Sequence, residues 1–262
     1  MDRHELYERC VQAPERLVPF LRAIHGGSPT VLGEDFCGTA ALSRRWVRSV
    51  PGGSAIALDH DAEVLALAAA RATDEGARGI EFVRGDARSA SDLARHACDV
   101  LFVGNFSIGE IAARSELVAY LRRSRARLLK HGTFICDLYG GASAFRTGAV
   151  ERLHALSDGR RIRYTWEQRS ADPRSARVEN ALHFRVERRG EIEEEWTAAF
   201  VYRWRLWSPA ELCDAFDEAG YGGVGFWRDL PEGDAPPRPV ETPDELGENW
   251  IVCVSAQSSA RA

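Results

Sequence analysis

The sequence predicts an α/β fold: a doubly wound, mostly parallel, seven-stranded sheet of the Rossmann-like kind, with an antiparallel insert after strand five. Three observations predict it. Short apolar runs alternate with helical patterns across residues 30–140, as parallel strands joined by helices require. Longer strand-like stretches with polar turns then follow, over residues 160–207. A well-signalled helix and two more strand patterns close the chain. Four regions result: 1–29, an N-terminal helical cap; 30–141, a ligand-binding core; 142–207, a helix and an antiparallel insert; and 208–262, a helix and strands completing the core sheet.

Each element has a local reason. "ELYERCVQAPERLVPFLRAIHGG" reads as one or two helices, with Pro14 starting the second and Gly26-Gly27 ending it. "TVLGEDF" is the first strand, "CGTA" its turn and "AALSRRWVRSV" the following helix. "SAIALD" is the second strand. Asp61 caps the next helix, because its carboxylate can accept from backbone N–H groups that have no partner inside the helix. "GIEFVRGD" is the third strand and "SASDLARHA" a short helix. "CDVLFVGN" is apolar almost throughout, as a strand covered on both faces should be. "SELVAYLRRSRARLLKHG" is a helix with a glycine stop, and "TFICDLYG" the fifth strand. The insert reads as three strands. In "SPAELCDAFDEAG", Ser208 caps, Pro209 starts and Gly220 stops a helix. "GGVGFWRD" and "NWIVCVSA" are the last strands, separated by a loop rich in proline and acid. The terminal "QSSARA" is expected to fray.

Composition narrows the function. With 45% hydrophobic and 28% charged residues, the 262-residue chain has an ordinary globular balance and no eighteen-residue apolar run. Its N-terminus lacks a signal-peptide pattern. A formal net charge of -5 disfavours nucleic acid as a partner. The six cysteines form no C-x-x-C pair, and they read as free thiols of a reducing cytoplasm. Neither they nor the histidines have metal-ligand spacing, so no metal is expected.

In doubly wound sheets, ligands bind at the carboxyl ends of the strands. Glu34 and Asp35 follow strand one, Asp59 ends strand two and Asp86 ends strand three. A carboxylate at the end of strand two can accept both hydroxyls of a ribose. The turn E-D-F-C-G-T-A lacks the G-x-G-x-x-G of a dinucleotide site and the G-K-[ST] of a P-loop. Its acidic flank would repel a pyrophosphate and tolerate an ammonium group. This points away from NAD and ATP, toward S-adenosylmethionine (SAM). Each residue also has a plainer reading: Gly38 as a tight turn, Asp59 as a helix cap, Asp86 as a turn residue.

The segments "VLGEDFCGTAALS", "AIALDHDAEVLALA", "FVRGDARS", "CDVLFVGNFSIGEI" and "HGTFICDLYGG" resemble the class I SAM-dependent methyltransferases. That family's first motif looks like D-x-G-x-G-x-G. Here Glu34 takes the acidic place, and Phe36, Gly38 and Ala40 take the three glycine places. The resemblance implies SAM as cofactor and S-adenosylhomocysteine as product. It implies that Gly38 packs against the cofactor, Asp59 binds its ribose, and Asp86 with Ala87 flanks the adenine. It places Asn105 and Phe106 between the methionine moiety and the substrate. Glu34, Phe36, Cys37 and His60 complete the expected cofactor set.

Methyl transfer from a sulfonium depends chiefly on in-line positioning, with a base where the acceptor must lose a proton. Tyr139 and Glu110 are the candidates for that role. Substrate contacts are expected from Tyr7, Gln12, Tyr139, Trp166, Arg203 and Arg205, with the insert as cover. Arginines would suit a carboxylate and an aromatic wall a cationic amine, and both substrate charges stay open. The leading expectation is methylation of N or O on a small molecule, by a monomer or homodimer without a membrane partner. The alternatives are an enzyme acting on RNA or protein, a non-catalytic SAM-binding protein, and an NAD-dependent oxidoreductase.

Overall fold

The computed structural model describes residues 1–89, 93–228, 230, 235–242 and 245–258. Helices α1 (Arg3–Val11) and α2 (Pro14–His25) precede a core of alternating elements. These are β1 (Val31–Asp35), α3 (Ala41–Ser49), β2 (Ser54–Asp59), α4 (Ala62–Asp74), β3 (Ile80–Arg84), β4 (Cys98–Val103), α5 (Arg114–Arg127) and β5 (Leu128–Gly140). The insert is β6 (Gly148–Ala155), β7 (Arg160–Asp172), β8 (Arg177–Arg188) and β9 (Glu191–Arg205). Helix α6 (Pro209–Ala219), β10 (Tyr221–Arg228), β11 (Arg238–Pro239) and β12 (Trp250–Ser258) complete the chain.

The main sheet has eight strands in the order β11-β10-β12-β5-β4-β1-β2-β3, the eighth being the two-residue β11. Strands β1 to β5 are parallel, and β12 enters antiparallel between β5 and β10. Strand order reverses between β4 and β1, so the turns after these two strands border one crevice. Because strand side chains alternate between faces, each strand serves two cores. Leu32, Val100 and Phe102 pack with Leu21, Leu42 and Trp46 of α2 and α3. Leu101, Val103 and Phe134 pack with Leu117, Tyr120 and Phe216 of α5 and α6.

Several local signals carry through. Asp61 accepts from the backbone N–H groups of Glu63 and Val64, Gly26 and Gly220 close their helices in the left-handed region, and Ser208 with Glu211 forms a capping box. Other expectations need correction. Residues 142–207 contain no helix among the described residues; the stretch before β7 is the edge strand β6, so the insert has four strands. Its exposed Val150 and Leu153 had obscured the strand alternation. Helix α5 ends at Arg127 rather than Gly132, and β5 begins at once, with a bulge that places His131 at φ 67°. The short helix before β4 is a 3-10 turn at Leu93–Arg95, and Ala90 to Asp92 lie outside the described residues. The expected fraying of residues 259–262 also lies outside them, whereas Gln257 and Ser258 belong to β12.

One buried ion pair fastens α5 to the sheet. Arg127 Nη1 lies 2.8 Å from both oxygens of Asp35, and Tyr120 Oη donates to Asp35 Oδ2 at 2.9 Å. Both charged side chains are almost fully buried. Burial alone would lower the Arg127 pKa, but the Asp35 carboxylate beside it holds that pKa above the ordinary value. Gly33 makes this approach feasible. A Cβ there would stand 3.0 Å from Cys98 Sγ and 3.4 Å from the Arg127 guanidinium. Removing one member of such a pair strands the other charge, at a cost of about 3–5 kcal/mol. Arg127→Leu is therefore expected to lower stability by about that amount in urea denaturation; a loss below about 1 kcal/mol would show the pair to be dispensable.

Candidate active site

The loop after β1 has the backbone of a glycine-rich turn with one glycine. Phe36, Gly38 and Ala40 sit at φ 58°, 54° and 55°, three alternate residues in the left-handed region. A non-glycine residue there costs roughly 1–2 kcal/mol, so other contacts must enforce the shape. They do. Cys37 N donates to Leu58 O at 3.0 Å, and Ala40 N to Cys37 O at 2.8 Å. Gly38 N donates to Asp59 Oδ2 at 2.8 Å. The Phe36 ring packs edge-on to Tyr120. A Cβ built on Gly38 would meet nothing within 4 Å, so this residue faces open space.

Glu34 does not face that space. Its Oε2 accepts from Ser43 N at 2.9 Å and from Ser43 Oγ. The N-cap of α3 is Ala40, which has no capping side chain, and Glu34 supplies the missing acceptor at the third helical residue. Burial pushes the Glu34 carboxyl up to about 7, against the pull of the Ser43 donors. Cys37 is likewise turned inward, 2% exposed, with its thiol against Gly38 O. Neither side chain is available as the expected cofactor contact.

Of the expected cofactor residues, Phe36, Asp59, His60, Asp86 and Ala87 converge on a cleft of about 220 Å³, which Leu58, Gly85, Arg88 and Glu110 also line; Gly38, Asn105 and Phe106 are not part of its lining. Asp59 Oδ1 accepts from Asp61 N at 3.0 Å, and Oδ2 from Gly38 N. Each oxygen keeps a further acceptor position, which a vicinal diol can use. His60 is largely exposed, 3.5 Å from Asp59. Asp86 is gripped by Arg88, whose Nε and Nη2 lie 2.8–3.1 Å from its oxygens; these bonds hold its pKa below the ordinary value. Glu110 belongs to this cleft rather than to the acceptor side, and burial raises its pKa.

The turn after β4 is the opposite bank. Asn105 and Phe106 both have positive φ, 56° and 62°. Their N–H groups donate to Asp137 of β5 at 2.8 and 2.6 Å. Burial pushes Asp137 up to about 6 despite these donors. The Phe106 ring lies 4.9 Å from Tyr139, 5.7 Å from Trp166 and 5.8 Å from Trp204, edge to face. Behind it a second, mainly apolar cleft of about 210 Å³ runs between Phe106, Ile108, Leu138, Tyr139, Trp204 and Trp207. The short 3-10 turn Ser107–Glu110 divides the two clefts.

The expected substrate residues separate. Tyr139 lines the second cleft and Trp166 packs against it. The Tyr139 hydroxyl donates to Gln168 Oε1 at 3.3 Å and accepts from Asn180 Nδ2 at 3.1 Å, and burial raises its pKa to about 12. Tyr7 packs on Phe200, and its phenol is raised by burial and by Tyr202 nearby. Gln12 lines neither cleft. Arg203 points to solvent with Glu179. Arg205 is engaged structurally: its guanidinium stacks 3.8 Å from the Trp207 ring centroid and bonds Glu211 and Ala112 O. Of "YRWRLW", Trp204, Arg205 and Trp207 line the second cleft, with the Arg205 guanidinium already engaged by Trp207, Glu211 and Ala112 O, whereas Arg203 does not line it.

Sequence reasoning missed Glu8. From α1 its Oε1 accepts from Thr39 Oγ1 in the loop, from Arg44 at 2.7 Å and from Arg71 at 2.6 Å. The other side of α1, through Leu6 and Cys10, packs on Tyr164, Leu182 and Phe184 of the insert. One helix thus joins the loop to the insert. No local pattern marks Glu8, since its partners lie 31 to 63 residues away. Among the described residues, no group of three or more His, Cys, Asp or Glu is placed to hold a metal, and no helix is long and apolar enough to cross a membrane.

Residues 35–132 match the sequence profile of the methyltransferase domain family. The fold is shared with a SAM-dependent methyltransferase from Clostridium acetobutylicum, at TM-score 0.73 and 14% identity over 98% of each chain. It is shared with an amino pentose methyltransferase from Micromonospora echinaspora, at TM-score 0.70 and 16% identity, covering 98% of this chain and 96% of that one. A sugar N-methyltransferase from Streptoalloteichus has TM-score 0.65 and 14% identity, covering 96% and 91%. No curated protein matches in sequence. The chain thus carries a methyltransferase-type domain over residues 35–132 and shares its fold with SAM-dependent methyltransferases.

The buried carboxyl of Glu34 gives a pH prediction. Its folded pKa, about 7, lies above the ordinary 4.5, so between these values the folded state holds more proton than the unfolded chain. Stability therefore falls as pH rises through this window and levels above it. Glu34→Gln is expected to flatten the upper part of that slope, between pH about 6 and about 7, in denaturation curves, the lower part being shared with Asp137. An unchanged slope would contradict the assignment.

Proposed function

We propose that the chain uses SAM to methylate a small molecule, with an amine nitrogen favoured over oxygen as acceptor. The observation that carries this is the pair of clefts divided by the Phe106 turn. One has Asp59 set for a ribose and Gly38 open beside it, and the other is aromatic and mainly apolar. The residues fit the cofactor: Asp59 would hold the ribose diol and Ala87 would flank the base, while the open side of Gly38 leaves room for the amino-acid tail. When bound, SAM supplies an electrophilic methyl group on a sulfonium.

The chain's own contribution is positioning. Asp137 fixes the backbone of Asn105 and Phe106 at the junction of the clefts. The Phe106, Tyr139, Trp166 and Trp204 rings exclude water and offer π faces to a cationic or weakly polar acceptor. The Tyr139 phenol is held protonated between Gln168 and Asn180, so it orients rather than removes a proton. An amine can lose its proton to water before attack and needs no strong base in the protein. The sugar N-methyltransferase and amino pentose methyltransferase among the structural neighbours support the amine reading.

Calorimetric titration with S-adenosylhomocysteine is expected to give saturable binding with no response to NAD. Asp59→Ala should weaken it at least about tenfold, the scale of one good hydrogen bond to a charged group. Binding of NAD alone, or an Asp59→Ala variant of undiminished affinity, would contradict the reading.

A further inference from the structure

Resting on the SAM reading, we propose that Glu110, rather than Asp86, recognises the exocyclic amino group of the cofactor's purine. Such a group is a hydrogen-bond donor and needs an acceptor at the base end of the cleft. Three side-chain carboxylates line that cleft: Asp59, Asp86 and Glu110. Asp59 already accepts from Gly38 N and Asp61 N, and it stands at the end of β2, where the ribose belongs.

Asp86 occupies the place at which an adenine contact is expected, but Arg88 takes most of its acceptor capacity. Oδ1 accepts from Arg88 N and Nε at 2.9 Å each, and Oδ2 from Arg88 Nε at 3.1 Å and Nη2 at 2.8 Å. Three N–H groups make these contacts, the Nε–H being shared between both oxygens, and they take about three of the roughly four acceptor positions of a carboxylate. Arg88 itself offers donors only. His60 stands beside Asp59 and is largely exposed.

Glu110 differs from both. It ends the 3-10 turn after β4 and lines the cleft together with Asp86 and Ala87. It makes no hydrogen bond or ion pair with the described residues. A half-buried carboxylate without a protein donor keeps its acceptor positions free for a ligand N–H. Its place in the short turn also links the two clefts, since Phe106, Ile108 and Gly109 of the same turn line the acceptor side.

The test is calorimetric binding of S-adenosylhomocysteine and its 6-oxo analogue, S-inosylhomocysteine, to the full chain. The wild-type protein is expected to prefer the amino compound by about tenfold or more, as for one buried hydrogen bond to a charged acceptor. Glu110→Ala should reduce that preference to below about threefold. Glu110→Gln, which offers both an acceptor and a donor, should bind the 6-oxo compound better than wild type does. Asp86→Asn should keep the preference. Full amino preference in both Glu110 variants, with its loss in Asp86→Asn, would overturn the assignment while leaving the cofactor reading intact. Failure of the wild-type protein to bind either compound would overturn both.

Discussion

Two adjacent carboxylates at the end of β1 hold the site together. Strand alternation sends Glu34 to one face of the sheet and Asp35 to the other. Glu34 takes the N-terminal N–H and hydroxyl of Ser43 in α3. Asp35 takes Arg127 and Tyr120 of α5. The loop that begins at Phe36 is thereby anchored to both helical layers at its first residue. Its left-handed residues persist because the surroundings leave them no alternative, as strained functional backbone requires.

The same device recurs at neighbouring strand ends. Asp59 from β2 fixes Gly38, and Asp137 from β5 fixes Asn105 and Phe106. In each case a carboxylate on a rigid strand accepts N–H groups from a turn that has positive φ at non-glycine or exposed positions. The cost of ordering these turns is met on folding, so a ligand enters a largely built crevice. Above it, α1 ties the loop to the insert: Glu8 grips Thr39, Arg44 and Arg71, while Leu6 and Cys10 bury against β7 and β8. One helix thus contacts both the loop and the insert.

Most of the fold was legible because its signals are local. Ser208, Pro209 and Gly220 bound α6 as their types require, and the alternation of β1 to β5 with helices reads directly from hydrophobic pattern. The edge strand β6 was not legible, since an exposed strand with Val150 and Leu153 outward has no buried face to reveal it. The loop geometry was legible only as positions: Phe36 and Ala40 stand where glycines were expected and adopt the glycine conformation. The direction of Glu34 was not, because acidity beside a loop does not say whether a carboxylate serves a ligand or a helix end. Nor was the occupation of Asp86 by Arg88, two residues away, or of Arg205 by Trp207 and Glu211. Glu8, Asn180 and Gln168 act through partners distant in sequence and left no pattern to find.

The central claim is that this crevice is built before the cofactor arrives, by carboxylates that hold its turns. A crystal structure with S-adenosylhomocysteine bound tests it most directly. The account predicts that Phe36, Gly38 and Ala40 keep positive φ, with Gly38 N still on Asp59 and Glu34 still on Ser43. A bound structure in which the loop flips out of the left-handed region, or in which Glu34 leaves Ser43 for the ligand, would contradict it.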